Sequence, residues 1–135
     1  MAEIIATRVQ AKSLSKNALK VIQAGITHAA IYRDVKSHCI PLDEFCTIAG
    51  TGLLSAEAMA LIFREGQKVI AYQETFDTET PSRRSLRYES SAIFGEVSTS
   101  SSFVTFEVYP FILRDEVLRA LSILGTSTNG KEQQR

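Results

Sequence analysis

The sequence predicts an α+β domain: a five-stranded antiparallel sheet with helices packed on its faces. Three observations carry that expectation. Serine-led segments starting near Ser15 and at Ser55, and the later segment LRDEVLRALSILG, repeat apolar residues at helical spacing. Two short apolar runs, THAAIYR and HCIPL, flank a polar turn. Three strand-like runs, SLRYESS, AIFGEVS and SFVTFEVYP, follow one another with bends at Gly95 and across Ser98 to Ser102.

Residues 3–12, EIIATRVQAK, alternate weakly and read as a strand or as a lead-in to the first helix. Ser13 or Ser15 can cap that helix, because a serine oxygen satisfies a free backbone N–H. Ala18, Leu19 and Ile22 form its apolar stripe, and Gly25 is expected to end it in a left-handed conformation. A strand around Ala29 to Tyr32 follows, then a turn over Asp34 to Ser37. HCIPL is a second strand, confined to an edge by Pro41. Residues 43–54 form a connector containing Gly50 and Gly52.

SAEAMALIFREGQKVIAYQETF carries the strongest helix signal, with Ser55 as cap and Glu57 favourable at the positive helix start. Gly66 is a candidate stop that would leave KVIAYQETF as an alternating strand. The preferred reading keeps Gly66 inside one long helix, at a cost of about 1 kcal/mol against Ala. That helix has two apolar stripes: Ala56, Met59, Ala60, Phe63 and Ile70 on one, and Ala58, Leu61, Ile62, Val69 and Tyr72 on the other. A helix lying on a sheet needs one such face. The second face predicts a homodimer, with Met59, Ile62, Phe63 and Val69 at its interface. After a loop with Pro81 come the three strands, then a closing helix that buries Val117, Leu118 and Leu121. Residues 1–125 are expected to form a single domain and the polar segment 126–135, TSTNGKEQQR, a disordered tail.

Bulk composition narrows the function classes. The chain has 135 residues, 44% of them hydrophobic and 22% charged, with 15 Lys plus Arg against 15 Asp plus Glu. A chain of zero net charge has no general pull on nucleic acid or anionic lipid, so neither is an expected partner. Arg83, Arg84 and Arg87 are the one basic cluster in sequence, and they read as a solvated strand start. No apolar run approaches the roughly 20 residues that cross a bilayer, and MAEIIATRVQAK does not resemble a secretory signal. The expected location is a reducing cytoplasm.

The order of segments resembles the Roadblock/dynein light chain family. ITHAAIYRDVKSHCIPL looks like that family's first hairpin, SAEAMALIFREGQKVIAYQ like its long central helix, SLRYESSAIFGEVSTSSSFVTFEVYP like its meander and LRDEVLRALSIL like its closing helix. The turn RDVKSH departs from the family's acidic-Gly turn. The resemblance implies a profilin-like fold, a homodimer and a non-enzymatic role as an adaptor for a protein partner, with a small GTPase as one candidate.

No residue constellation states a chemistry. His28, His38, Cys39 and Cys46 lack the paired spacing of a zinc site, and strand neighbours His38 and Cys39 would point to opposite faces. Cys46 sits among apolar residues, a setting that disfavours a thiolate nucleophile. Asp43 with Glu44, and Asp115 with Glu116, read as helix-start charges. Gly50-Thr51-Gly52 lacks phosphate-loop spacing. No cofactor, metal or catalytic residue is therefore expected.

Two rivals to the adaptor remain. One is a secretion-chaperone-like dimer. The other is a helix-turn-helix DNA-binding regulator built from PLDEFCTIAG and the helix after Ser55, with Gly50 at the turn. SAEAMALIFRE offers only Glu57, Arg64 and Glu65 as polar groups and reads as a packing helix.

Overall fold

The computed structural model describes residues 3–79, 82 and 84–124. The α+β class holds, but the strands divide between two three-stranded antiparallel sheets instead of sharing one of five.

The first sheet packs against the helices. Helix α1 spans Lys16–Ile31, strand β2 Ser37–Pro41, helix α2 Leu42–Ala49 and helix α3 Ala56–Gly66. Strands β5 (Phe94–Thr99) and β6 (Phe103–Val108) complete the sheet, in the order β2-β6-β5. Two serine caps set the helix starts: Ser15 Oγ accepts from Ala18 N and Ser55 Oγ from Ala58 N, both at 3.1 Å. Four phenylalanines fill the space between helices and sheet. Phe45 of α2, Phe63 of α3, Phe94 of β5 and Phe106 of β6 are all buried. Their neighbouring ring centroids are 4.9 to 5.9 Å apart, within the range of favourable aromatic contact.

The second sheet, in the order β1-β3-β4, comprises β1 (Glu3–Gln10), β3 (Ile70–Asp77) and β4 (Ser85–Ala92). Every second residue of β3 is buried: Ala71, Gln73, Thr75 and Asp77. A 3-10 turn (Pro110–Leu113) leads into helix α4 (Asp115–Ser122), which packs on β1 and β3. Arg114 anchors this junction. Its guanidinium donates to Gln73 Oε1 at 2.7 Å and to both carboxylate oxygens of Glu89 at 3.1 Å, while Gln73 Nε2 donates to Thr7 Oγ1 at 3.2 Å. The chain thus ties all three strands to the start of α4. The Arg114 contacts lower the pKa of Glu89, with the hydrogen bond as the main cause.

Several sequence expectations are corrected. Gly25 lies inside α1, which continues to Ile31, so THAAI is helical and the expected first hairpin is absent. The segment from Ser55 breaks at Gly66 and returns as β3, because the alternation of Ile70 to Asp77 matches a half-buried strand. Residues 43–49 form a helix instead of a connector. The apparent second face of the long helix belongs to two different elements. Met59 (0% exposed), Phe63 (1%), Val69 (1%) and Ile62 (9%) all lie in the chain's own core. A second molecule cannot reach them without opening that core, so they cannot form the dimer interface expected from the sequence. The tail expected at 126–135 lies outside the described residues.

Candidate nucleic-acid interface

Helices α2 and α3 follow one another across a six-residue link, residues 50–55, and meet through Phe45 and Phe63, whose ring centroids are 5.9 Å apart. Gly50 closes α2 in a left-handed conformation (φ 78°, ψ 29°), and its N–H donates to Cys46 O at 2.9 Å. Gly52 also has positive φ, at 76°. Two left-handed residues in the short link between helices explain why glycine recurs there. Helix α3 turns Met59, Ile62 and Phe63 inward and leaves Glu57, Leu61 and Arg64 outward. The β5–β6 hairpin stands beside the start of α3, where Thr99 Oγ1 donates to Ala56 O at 2.9 Å. Its tip is Ser100, Ser101 and Ser102, with Ser100 Oγ accepting from the N–H groups of Ser102 and Phe103.

Cations gather at the other end of α3. Ser15, at the start of α1, donates from its backbone N to Glu65 Oε1 and from its hydroxyl to Glu65 Oε2, both at 3.0 Å. This pair of bonds joins the start of α1 to the end of α3 and occupies the Glu65 carboxylate. Around the junction Lys12, Lys16, Arg64 and Lys68 are exposed, and a groove there is lined by Lys12, Lys68 and Glu65. One turn along α1 from Lys16, Lys20 Nζ donates to Gly50 O at 3.0 Å, at the link between α2 and α3. Five cations therefore border the α2–α3 pair. Its acidic residues are Asp43 and Glu44 in the first turn of α2, Glu57 in the first turn of α3, and Glu65. The first three lie away from the α1–α3 junction on the chain.

The other candidates fall elsewhere. Arg87 lies on β4 with Nε 3.5 Å from Glu89, Arg84 precedes β4, and Arg83 is outside the described residues. His28 and His38 meet with ring centroids 5.0 Å apart, and His38 stacks on Phe106 at 5.3 Å. His38 is buried and its Nδ1 has no hydrogen-bond partner. Burial lowers the pKa of both, and the neighbouring His28 lowers that of His38 further. Cys39 is exposed and Cys46 buried. Among the described residues no group of three His, Cys, Asp or Glu side chains is placed to hold a metal. Asp43, Glu44, Asp115 and Glu116 occupy first turns of helices, where they complement the helix dipole. No described helix is long and apolar enough to cross a membrane.

The sequence reading missed the cation group because its members lie at 12–20 and 64–68. The packing of α1 on α3, with the Ser15–Glu65 contact at its edge, brings these stretches together. The spacing of Lys16 and Lys20 was the available signal, since residues four apart share a helix face.

No protein-family model matches this sequence, and no curated protein matches it. Among solved structures, a crystal structure of selenomethionine derivatives of domain 2 and domain 3 of RctB is similar to this chain, with a TM-score of 0.52 and 8% identity. The match covers 87% of this chain and 49% of that one, so this chain spans about half the length of its neighbour. At that identity the likeness is one of fold alone.

Proposed function

We propose that this chain is a DNA-binding module that holds duplex DNA mainly through its phosphates. The cation group Lys12, Lys16, Lys20, Arg64 and Lys68 beside the α2–α3 pair carries this reading. Lysine and arginine bind phosphates by releasing condensed counterions, which requires local charge and is compatible with zero net charge. The serine-rich hairpin tip adds hydroxyl donors of the kind that position a backbone. The outward side of α3 has few groups able to read base edges, since Leu61 is apolar and Glu57 repels phosphate. Binding is therefore expected to show weak sequence preference.

The test is fluorescence anisotropy with duplexes of unrelated sequence, comparing wild type with Lys16→Glu/Lys68→Glu. Binding to both duplexes in the micromolar range at low salt, weakened tenfold or more in the double variant, is the expected result. No binding at 50 mM salt, or equal binding by the folded double variant, overturns the proposal.

A second reading keeps the protein-binding adaptor. A groove of about 800 Å3 runs along α1 and the end of α2, lined by Leu19, Ala24, Ile31, Tyr32, Ile48 and Ala49 among others. Ile31, Tyr32 and Ile48 are more than half exposed, which is favourable for a protein contact. Substituting Ile31→Glu/Ile48→Glu separates the readings: it should abolish partner capture and leave DNA binding intact if the groove serves a protein.

A further inference from the structure

Strand β4 has a neighbour on one side only among the described residues. Its outer edge is open: Ser85 to Tyr88 and Ser90 are exposed, with Tyr88 at 54% and Leu86 at 37%. The strand has no proline, and its one irregularity lies at its Ser85 end, where the register with β3 shifts between Thr75 and Phe76. An open, regular edge offers unpaired N–H and C=O groups to another strand.

The sequence of β4, SLRYESSA, selects the occupant. When a strand pairs antiparallel with its own copy in one sheet, the two-fold axis runs perpendicular to the sheet, midway between the two copies of one residue. With the axis at Tyr88, Arg87 faces the copy's Glu89 and Glu89 faces the copy's Arg87. Leu86 faces Ser90, and the two Tyr88 rings meet at the centre. Moving the axis one residue either way sets Arg87 against Arg87 or Glu89 against Glu89. Like charges directly opposite are unfavourable and unlike charges favourable, so one register stands out. Tyr88 already lies 5.8 Å from Tyr72 on β3, and the pairing would extend this contact into a row of four tyrosine rings.

The other edges lack this complementarity. On β1, Glu3 and Arg8 are five residues apart, so no two-fold register opposes them. Strand β2 ends at Pro41, which cannot donate to a ladder. Strand β5 lies against α3.

We propose that two copies of this chain join through β4, antiparallel about a two-fold axis between their Tyr88 residues, so that their β1-β3-β4 sheets form one six-stranded sheet. A single strand-to-strand joint buries less than the roughly 1,200 Å2 of a standard stable interface, so the dimer is weak and reversible. The proposal is independent of DNA binding and is tested without DNA.

Analytical ultracentrifugation from about 5 to 500 μM should show the 14.9 kDa chain in exchange with its dimer. Arg87→Glu and Glu89→Arg should each raise the dissociation constant roughly tenfold or more by opposing like charges. An equimolar mixture of the two variants should regain association, because each then faces its complement. Glu89→Arg also removes one of the two partners of Arg114, so circular dichroism must show the fold retained. Disulfide trapping supplies an independent readout that leaves Arg114 untouched. In a Cys39→Ser background, Tyr88→Cys should cross-link to itself. Leu86→Cys should cross-link only when mixed with Ser90→Cys. A single 14.9 kDa species throughout, undiminished dimer in Arg87→Glu, or self-linking of Leu86→Cys in place of Tyr88→Cys overturns the proposal.

Discussion

Replacing Gly25 by alanine adds one methyl group in the middle of α1, where helix propensity alone favours alanine by about 1 kcal/mol. The surroundings oppose that gain. A Cβ built at Gly25 lies 3.0 Å from Cε1 and 3.1 Å from Cζ of Phe94. The ring has little room to retreat. A Cβ at Gly66, on α3, would lie 3.0 Å from Cε2 of the same ring, and Phe63 and Phe106 pack around it at centroid distances of 4.9 and 5.9 Å. Overpacking in such a core costs about 1–3 kcal/mol. Taking about 2 kcal/mol against a gain of about 1 leaves Gly25→Ala destabilised by about 1 kcal/mol. In urea denaturation this lowers the midpoint by about 0.5 M, for a slope near 2 kcal/mol/M. In a Phe94→Leu background the ring edge is gone, and the same substitution should become neutral or stabilising, a coupling of about 1–2 kcal/mol. If Gly25→Ala stabilises the wild-type protein by the full propensity difference, the proposed contact between α1 and Phe94 is wrong.

Other predictions follow from single contacts. Ser55→Ala removes the cap of α3 and should cost about 1 kcal/mol in thermal or urea unfolding. Arg114→Ala leaves the buried Gln73 Oε1 without its donor and should cost about 1–3 kcal/mol, with Arg114→Lys unable to restore the bidentate contact to Glu89. His38 has a folded-state pKa below its ordinary value, so the unfolded chain binds the proton more readily. Stability from this group is full above about pH 6.5 and is lost as pH falls from there through the lowered folded value. His38→Leu should therefore reduce the fall in urea midpoint between about pH 7.5 and 5, and an unchanged fall would remove His38 from the acid response.

The extent to which the fold could be read from sequence varied by element. Ser55 as cap and the alternation of Phe103 to Val108 have local causes, and each stands where expected. The two glycines inside apolar helical patterns were harder. Gly25 looks like a helix end, yet its backbone is helical and its smallness serves the approach of Phe94. Gly66 looks tolerable within a helix, but α3 stops there and the next apolar residues alternate as a strand. THAAI resembles a strand because Ile31 and Tyr32 are apolar, although both are mostly exposed at the end of α1. The division into two sheets depends on β1 pairing with β3 across more than sixty residues, which no local pattern records. The candidate interface shares that property, since its lysines and arginine come together through the packing of α1 on α3 and the Ser15–Glu65 contact.

The salt dependence of DNA affinity tests the central claim most directly. If about four phosphates are neutralised by the cations at the α1–α3 junction, raising monovalent salt from 50 to 200 mM should weaken binding roughly a hundredfold. Lys16→Glu/Lys68→Glu should flatten that slope while leaving the unfolding midpoint nearly unchanged, because both side chains are exposed. Affinity that does not respond to salt, or a slope identical in the double variant, would contradict a phosphate-held duplex at this surface.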